Sequence, residues 1–197
     1  MRTLVLEQML TTDSDWQDLF EYQTDTEIIQ YPTLKWLPDV MLKNRYTQDV
    51  SMLYYTGLTR MAKNILQDIV KGMFLNSRRQ LCILKEIGDH AIDTYDCIQK
   101  NDWDAYCRSI SRCWDLKQEL DSGTNPLQVE SIINSVSDYL SCAALPGAGG
   151  GGYIYMIAKD EDAARRIRKQ LLDSPPNRLA RFVKLDISDT GLEITRS

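Results

Sequence analysis

The residues best suited to chemistry form a glycine-rich segment in the last third of the chain. Five of the chain's ten glycines fall within six positions, which are Gly147, Ala148, Gly149, Gly150, Gly151 and Gly152. Without side chains, the backbone can approach a ligand closely and successive N–H groups can converge on an anion. Phosphate chemistry is the natural use of such a loop. A flexible linker is the alternative, but apolar segments flank the loop closely on both sides.

Two common phosphate-binding motifs are excluded. Gly147, Gly149 and Gly152 have the spacing G-x-G-x-x-G, but in a dinucleotide site that motif opens a helix. The apolar residues 153–158 that follow predict a strand instead. No Gly-Lys-Ser or Gly-Lys-Thr follows the glycines, so the loop is not a Walker A motif.

Two other segments carry groups that bind sugar or phosphate oxygens. The first supplies a carboxylate, two hydroxyls and a permissive glycine through Asp121, Ser122, Gly123 and Thr124. The second is the end of a predicted strand at Thr56, where Arg60 offers a guanidinium for bidentate binding of phosphate. A plain loop between helices and a surface charge are the respective alternatives.

Composition excludes several function classes. Lys and Arg number 23 against 28 Asp and Glu, a net charge of −5, so no basic field attracts nucleic acid or anionic lipid. No apolar run approaches the roughly 20 residues of a membrane span, and the N-terminus is not a secretory signal, so we expect a cytoplasmic protein. The single His90 excludes mechanisms with several imidazoles. Five cysteines without C-x-x-C spacing indicate neither a disulfide framework nor a zinc knuckle.

The elements that must position these groups follow from hydrophobic periodicity and turn residues. One predicted strand comes early, three come late, and most of the helices are grouped between them, which predicts an α+β fold with a largely antiparallel four-stranded sheet and helices packed on one face. The predicted strands are 50–56, 153–158, 180–187 and 192–195. The first three predicted helices are 59–73, 77–99 and 102–120. A fourth is capped by Asn125, has Pro126 at its first position and buries residues as far as Leu140. A last one is capped by Asp160 and ends before Pro175.

Three segments, residues 53–65, 120–126 and 145–160, resemble in the same order the C-terminal half of bacterial L-fucokinases, which are members of the GHMP sugar kinase superfamily. The likeness covers about residues 34–197. It implies a GHMP kinase C-terminal domain over 46–197, preceded over 1–45 by an irregular remnant of the N-terminal kinase domain and a linker. It also implies ATP and Mg²⁺ as cofactors and, in many such enzymes, a fused guanylyltransferase domain.

A weaker likeness lies near the N-terminus. Residues 6–18 resemble the family segment whose Trp-Gln-Asp carries the catalytic carboxylate, which assigns Asp18. Here Asp13-Ser14-Asp15 stands where the family has glycines, and a solvated acid is the alternative. The family's main phosphate loop has no counterpart in this chain, so we expect part of a kinase that is inactive alone.

The leading hypothesis is therefore the C-terminal portion of an ATP-dependent kinase that converts L-fucose to L-fucose 1-phosphate. Its loop 147–152 would bind phosphate, and Arg60 with residues 121–124 would bind substrate. A heptose kinase of the same superfamily is one alternative. A non-catalytic module that binds sugar or phosphate, or regulates another protein, is the other.

Overall fold

A computed structural model describes residues 35–58, 62–75 and 77–187. Asp18, Arg60 and the predicted strand 192–195 lie outside these described residues. The described elements follow in chain order: α1 Val40–Lys43, α2 Arg45–Val50, β1 Ser51–Tyr55, α3 Ala62–Phe74, α4 Arg78–Gln99, α5 Trp103–Leu120, α6 Leu127–Ser135, a 3₁₀ turn Ser137–Tyr139, β2 Leu140–Ala144, β3 Tyr153–Ala158, α7 Glu161–Asp173 and β4 Arg181–Val183.

The described strands form one sheet in the order β2-β3-β1-β4, and every neighbouring pair is antiparallel. Leu53 of β1 lies opposite Tyr155 of β3 and Val183 of β4. The predicted α+β class with a four-stranded antiparallel sheet is confirmed. This arrangement places the end of β1 beside the start of β3, so the residues after Tyr55 and those before Tyr153 meet at one end of the sheet.

The core lies against the sheet and between the helices. On one face of β1 and β3, four side chains are fully buried or nearly so: Met52, Tyr54, Ile154 and Met156. Helix α5 packs along β2, where Cys107 and Cys142 are both buried. Burial of these apolar side chains, worth ~25 cal/mol per Å², is the main force that joins helices to sheet.

Helices α4 and α5 form an antiparallel pair that shares polar as well as apolar contacts. His90 of α4 has Nε2 2.8 Å from the carbonyl oxygen of Ser109 on α5. Tyr106 of α5 is buried in the main core, and the partly buried Tyr155 of β3 packs against that core. His90 therefore has the structural role that its helical position predicts.

Strand β2 has no counterpart among the predicted strands, and the helix before it is shorter than predicted. Helix α6 ends at Ser135 rather than near Leu140, and the chain continues through the 3₁₀ turn into β2. A short apolar run is compatible with either a buried strand or a helix turn, so periodicity alone does not separate them.

The predicted cap of helix α6 was also wrong. Pro126 occupies the cap position, and Asn125 Nδ2 instead donates to Gln118 Oε1 at 2.8 Å.

The segment before β1 is more regular than its prolines suggest. Helices α1 and α2 occupy residues 40–50, where Asn44 caps α2 by accepting a hydrogen bond from the backbone N–H of Tyr46. Met41 and Val50 are buried in the main core. The boundary near residue 45 stays a prediction. No helix in the described ranges is both long enough and apolar enough to cross a membrane.

We expect burial of the Tyr106 hydroxyl to make stability depend on pH in alkaline solution. Burial, together with nearby groups, raises the pKa of the Tyr106 hydroxyl above its ordinary value of 10.0. A raised pKa in the folded state means that stability is complete below pH 10 and is lost as the pH rises above it. Urea unfolding from pH ~9 to ~12 should therefore show a falling free energy of unfolding.

The variant Tyr106→Phe removes that hydroxyl but keeps the ring, so its free energy of unfolding should fall less over the same range. Tyr46→Phe, at an exposed tyrosine, is the matched control and should follow the parent. If the free energy of unfolding falls equally steeply with pH in both variants, the alkaline loss of stability does not come from Tyr106.

Candidate functional site

The glycine loop joins β2 to β3, and its backbone explains its composition. Gly147, Gly149, Gly150, Gly151 and Gly152 have φ angles of 74°, 86°, 80°, 145° and 82°. Residues with a Cβ avoid this region, at a cost of roughly 1–2 kcal/mol each. The loop therefore requires glycine at five positions to make its turn.

Residues 121–124 hold the middle of this loop. The N–H of Gly150 donates to the carbonyl oxygen of Thr124 at 2.7 Å. A Cβ added to Gly149 would lie 2.7 Å from that same oxygen and 2.6 Å from Thr124 Cγ2. Thr124 is itself only 2% exposed, so the loop and the 121–124 segment are packed directly against each other.

The end of β1 holds the last part of the loop. The N–H of Gly152 donates to Leu58 O at 3.0 Å, and the N–H and Oγ1 of Thr56 donate to Gly152 O at 2.8 and 2.9 Å. A Cβ on Gly151 would meet Leu58 O at 2.8 Å. All three segments that the sequence singled out thus converge at one end of the sheet, and a loop held in this way is not a free linker.

The 121–124 segment is built by short hydrogen bonds of its own. Asp121 Oδ1 accepts from the N–H of Gly123 at 2.7 Å, and Asp121 O accepts from the N–H of Thr124 at 3.1 Å. Asp121 is half-buried, while Ser122 is exposed. Thr124 therefore contacts the loop through its backbone carbonyl. The side chains of this segment that solvent reaches are those of Asp121 and Ser122.

Sequence reasoning missed Asn177, which follows Pro175-Pro176 and braces the end of β1. Its Nδ2 donates to Thr56 O at 2.7 Å, and its Oδ1 accepts from the N–H groups of Leu179 and Ala180 at 2.9 and 3.0 Å. Gly57, with a φ of 72°, leaves the space that this amide occupies. An Asn after prolines signals a local turn, but nothing in the sequence signals its contact with residue 56.

The loop retains donors for a ligand. The N–H groups of Gly150 and Gly152 are already bonded, whereas those of Gly147, Ala148, Gly149 and Gly151 have no partner within the described part of the chain. N–H groups of this kind, fixed in a backbone turn, form anion-binding concavities. Four of the six N–H groups in the loop are therefore candidate donors to a ligand. Arg60 and Asp18 lie outside the described residues and stay predictions.

A matched pair of variants tests the contact between the loop and Thr124. Gly147 and Gly149 both have positive φ, but a Cβ at Gly147 meets nothing within 4 Å, whereas one at Gly149 meets the backbone of Thr124. Gly147→Ala should cost about 1 kcal/mol of stability from backbone strain alone, and Gly149→Ala about 2–4 kcal/mol because a clash is added. Chemical denaturation measures both. Equal losses would mean that the loop does not rest on Thr124.

Comparison with known proteins gives this site its context. Residues 94–177 match the family described as "GHMP kinases C terminal". Over its whole length the chain is 47% identical to part of an L-fucokinase/L-fucose-1-P guanylyltransferase of Bacteroides fragilis, and over 85% of its length it is 26% identical to a bifunctional fucokinase/GDP-fucose pyrophosphorylase of Arabidopsis thaliana. It spans 22% and 17% of these two relatives.

Solved structures agree on the fold. L. major mevalonate kinase, solved with R-mevalonate, superposes with a TM-score of 0.54 at 22% identity, covering 67% of this chain and 41% of that enzyme. The superposition and the matched residues lead to one conclusion: the chain has the fold of that kinase, and its residues 94–177 match the family of GHMP kinase C-terminal domains.

Proposed function

We propose that this chain is the C-terminal portion of an ATP-dependent sugar 1-kinase that forms L-fucose 1-phosphate from L-fucose. The observation that carries the proposal is the 47% identity along the whole chain to a protein whose name includes L-fucokinase. The site supports it as well, because the described parts of the segments that resemble L-fucokinases come together around one glycine loop with unused N–H donors.

In this proposal the loop acts on the phosphate end of the reaction. Phosphoryl transfer relies on positioning and on stabilising the charge of the transferred group. The N–H groups of Gly147, Ala148, Gly149 and Gly151 would supply fixed donors, which are most useful where negative charge grows in the transition state. Asp121, Ser122 and Arg60 would bind substrate oxygens, and Gly123 and Thr124 would shape that segment.

ATP and Mg²⁺ are the cofactors of this proposal. Among the described residues, no group of three or more histidine, cysteine or acidic side chains is placed to hold a metal ion. Mg²⁺ in kinases is held largely by the substrate phosphates with one or two carboxylates. The described residues therefore build no dedicated magnesium site, and we assign no step of the reaction to the metal.

Asp18 is the proposed catalytic carboxylate, which would orient or deprotonate the anomeric hydroxyl. The proposal further includes an N-terminal kinase domain that supplies the main phosphate loop, a fused guanylyltransferase domain as in the name of the Bacteroides fragilis relative, and a cytoplasmic location. A heptose kinase is the second candidate. It would use the same loop, since the described contacts place no group that separates the two sugars.

The direct test is a coupled assay of the gene product that contains this chain, with ATP, Mg²⁺ and a panel of sugars. We expect turnover of L-fucose with a kcat/KM at least about tenfold above that of D-glycero-D-manno-heptose. The isolated 197-residue chain should show no turnover. A preference for the heptose would favour the second candidate, and no turnover of any sugar would favour a non-catalytic module.

The assignment of Asp18 has its own test in the same protein. Asp18→Asn should lower kcat by about 10²–10⁴ with little change in the KM of the sugar, because a base acts in the transition state. Asp15→Asn, three residues earlier in the same acidic stretch, is the matched control and should leave kcat unchanged. If the two variants behave alike, Asp18 is a solvated acid.

A further inference from the structure

Lys117 joins helix α5 to the start of the glycine loop. Its Nζ donates to Leu145 O at 3.1 Å and to Gly147 O at 3.0 Å. These two carbonyls flank Pro146, so the chain turns around the ammonium group as it leaves β2. The helical pattern of the sequence places Lys117 on the buried side of α5, but gives no sign of this contact.

The two anchoring carbonyls differ in how firmly they are held. Leu145 is fully buried in the main core. Gly147 is exposed and is the first loop residue with positive φ. Lys117 therefore links Gly147, the first loop residue with positive φ, to Leu145, which is held in the core. Just beyond the same helix, Thr124 holds the middle of the loop through Gly150.

The charge of Lys117 is not neutralised by an acidic side chain. Within the described ranges, no carboxylate lies within ion-pair distance of its Nζ. An ammonium group has three N–H donors, and the two carbonyls use two of them. In a chain of net charge −5, an anion site must be built from local charge, and Lys117 supplies such a charge beside the loop.

We propose that Lys117 is a positioning residue for a phosphate-bearing substrate. It fixes the start of the glycine loop through the carbonyls of Leu145 and Gly147, and it adds a positive charge next to the loop's unused N–H groups. The inference rests on the proposed function for the identity of the substrate, a nucleoside triphosphate. The attraction of the site for polyphosphate follows from the geometry and charge alone.

The chain offers a matched control. Lys159 also donates from Nζ to a backbone carbonyl, that of Asp138, at 2.7 Å. It follows the last residue of β3, whereas the glycine loop precedes the first. Six strand residues separate the two, which is about 20 Å. Lys159→Met therefore removes the same kind of interaction at a place remote from the loop.

The experiment compares Lys117→Met, Lys117→Arg and Lys159→Met in the gene product that contains this chain. For Lys117→Met we expect kcat/KM for ATP to fall about tenfold or more, because charge-assisted hydrogen bonds are among the strong ones, while the KM of the sugar stays within about twofold. Lys117→Arg should recover most of the loss. Raising the salt concentration should increase the KM for ATP more in the parent than in Lys117→Met, since salt screens charge.

A second measurement does not depend on kinase activity. Inorganic pyrophosphate should raise the thermal midpoint of the parent and of Lys159→Met, but not that of Lys117→Met. This pattern in a protein without sugar kinase activity would overturn the proposed function and leave the role of Lys117 standing. The other result is a parent with sugar kinase activity in which Lys117→Met and Lys159→Met have the same kinetics, salt response and pyrophosphate effect. This result would overturn the role of Lys117 and leave the proposed function standing. Equal losses in kcat/KM for ATP and sugar would also overturn the role of Lys117.

Discussion

The hydrogen bond from the N–H of Gly150 to Thr124 O, 2.7 Å long, is the constraint on which the candidate site depends. Five residues of the loop have positive φ, so nothing in their local preferences keeps the loop in one place. Its position comes from contacts with other segments. The Gly150 bond fixes the middle of the loop, the bonds of Gly152 with Leu58 and Thr56 fix its end, and Lys117 fixes its start.

The glycines of the loop are required for two different reasons. Gly149 and Gly151 allow the loop to lie close to Thr124 and Leu58, where a Cβ would be 2.7 and 2.8 Å from a carbonyl oxygen. Gly147 and Gly152 have open space around the position of a Cβ and are glycines because of their backbone angles. A loop that is fixed by neighbours and still carries unbonded N–H groups is preorganised, and preorganised donors are the kind that stabilise developing charge.

The sequence identified the parts of the site better than their assembly. Gly147 to Gly152, Thr56 and residues 121–124 stand out by composition, because the physical demands on them are local: positive φ, a strand end and a tight loop. Their convergence depends on the antiparallel pairing of β1 with β3 and on the place where α5 ends. Asn177 and Lys117 reach the site through side-chain contacts with distant carbonyls, and such contacts leave no pattern in a single sequence.

The fold shows the same limit at β2. Most helices and two of the four described strands were placed close to their observed bounds, because their apolar residues recur with a clear period. Strand β2 is short and follows α6 after only a 3₁₀ turn, so its apolar residues continue the pattern of the helix. Pairing with β3 and packing against α5 make this segment a strand, and both are tertiary interactions.

Amide hydrogen exchange of the loop, followed residue by residue by NMR, tests the central claim most directly. If the loop is held as described, the amides of Gly150 and Gly152 should exchange on the order of a hundredfold more slowly than those of Ala148 and Gly149, because only the first two are hydrogen-bonded. Uniform and unprotected exchange along the whole loop would contradict the account, since the loop would then be a mobile connection between β2 and β3.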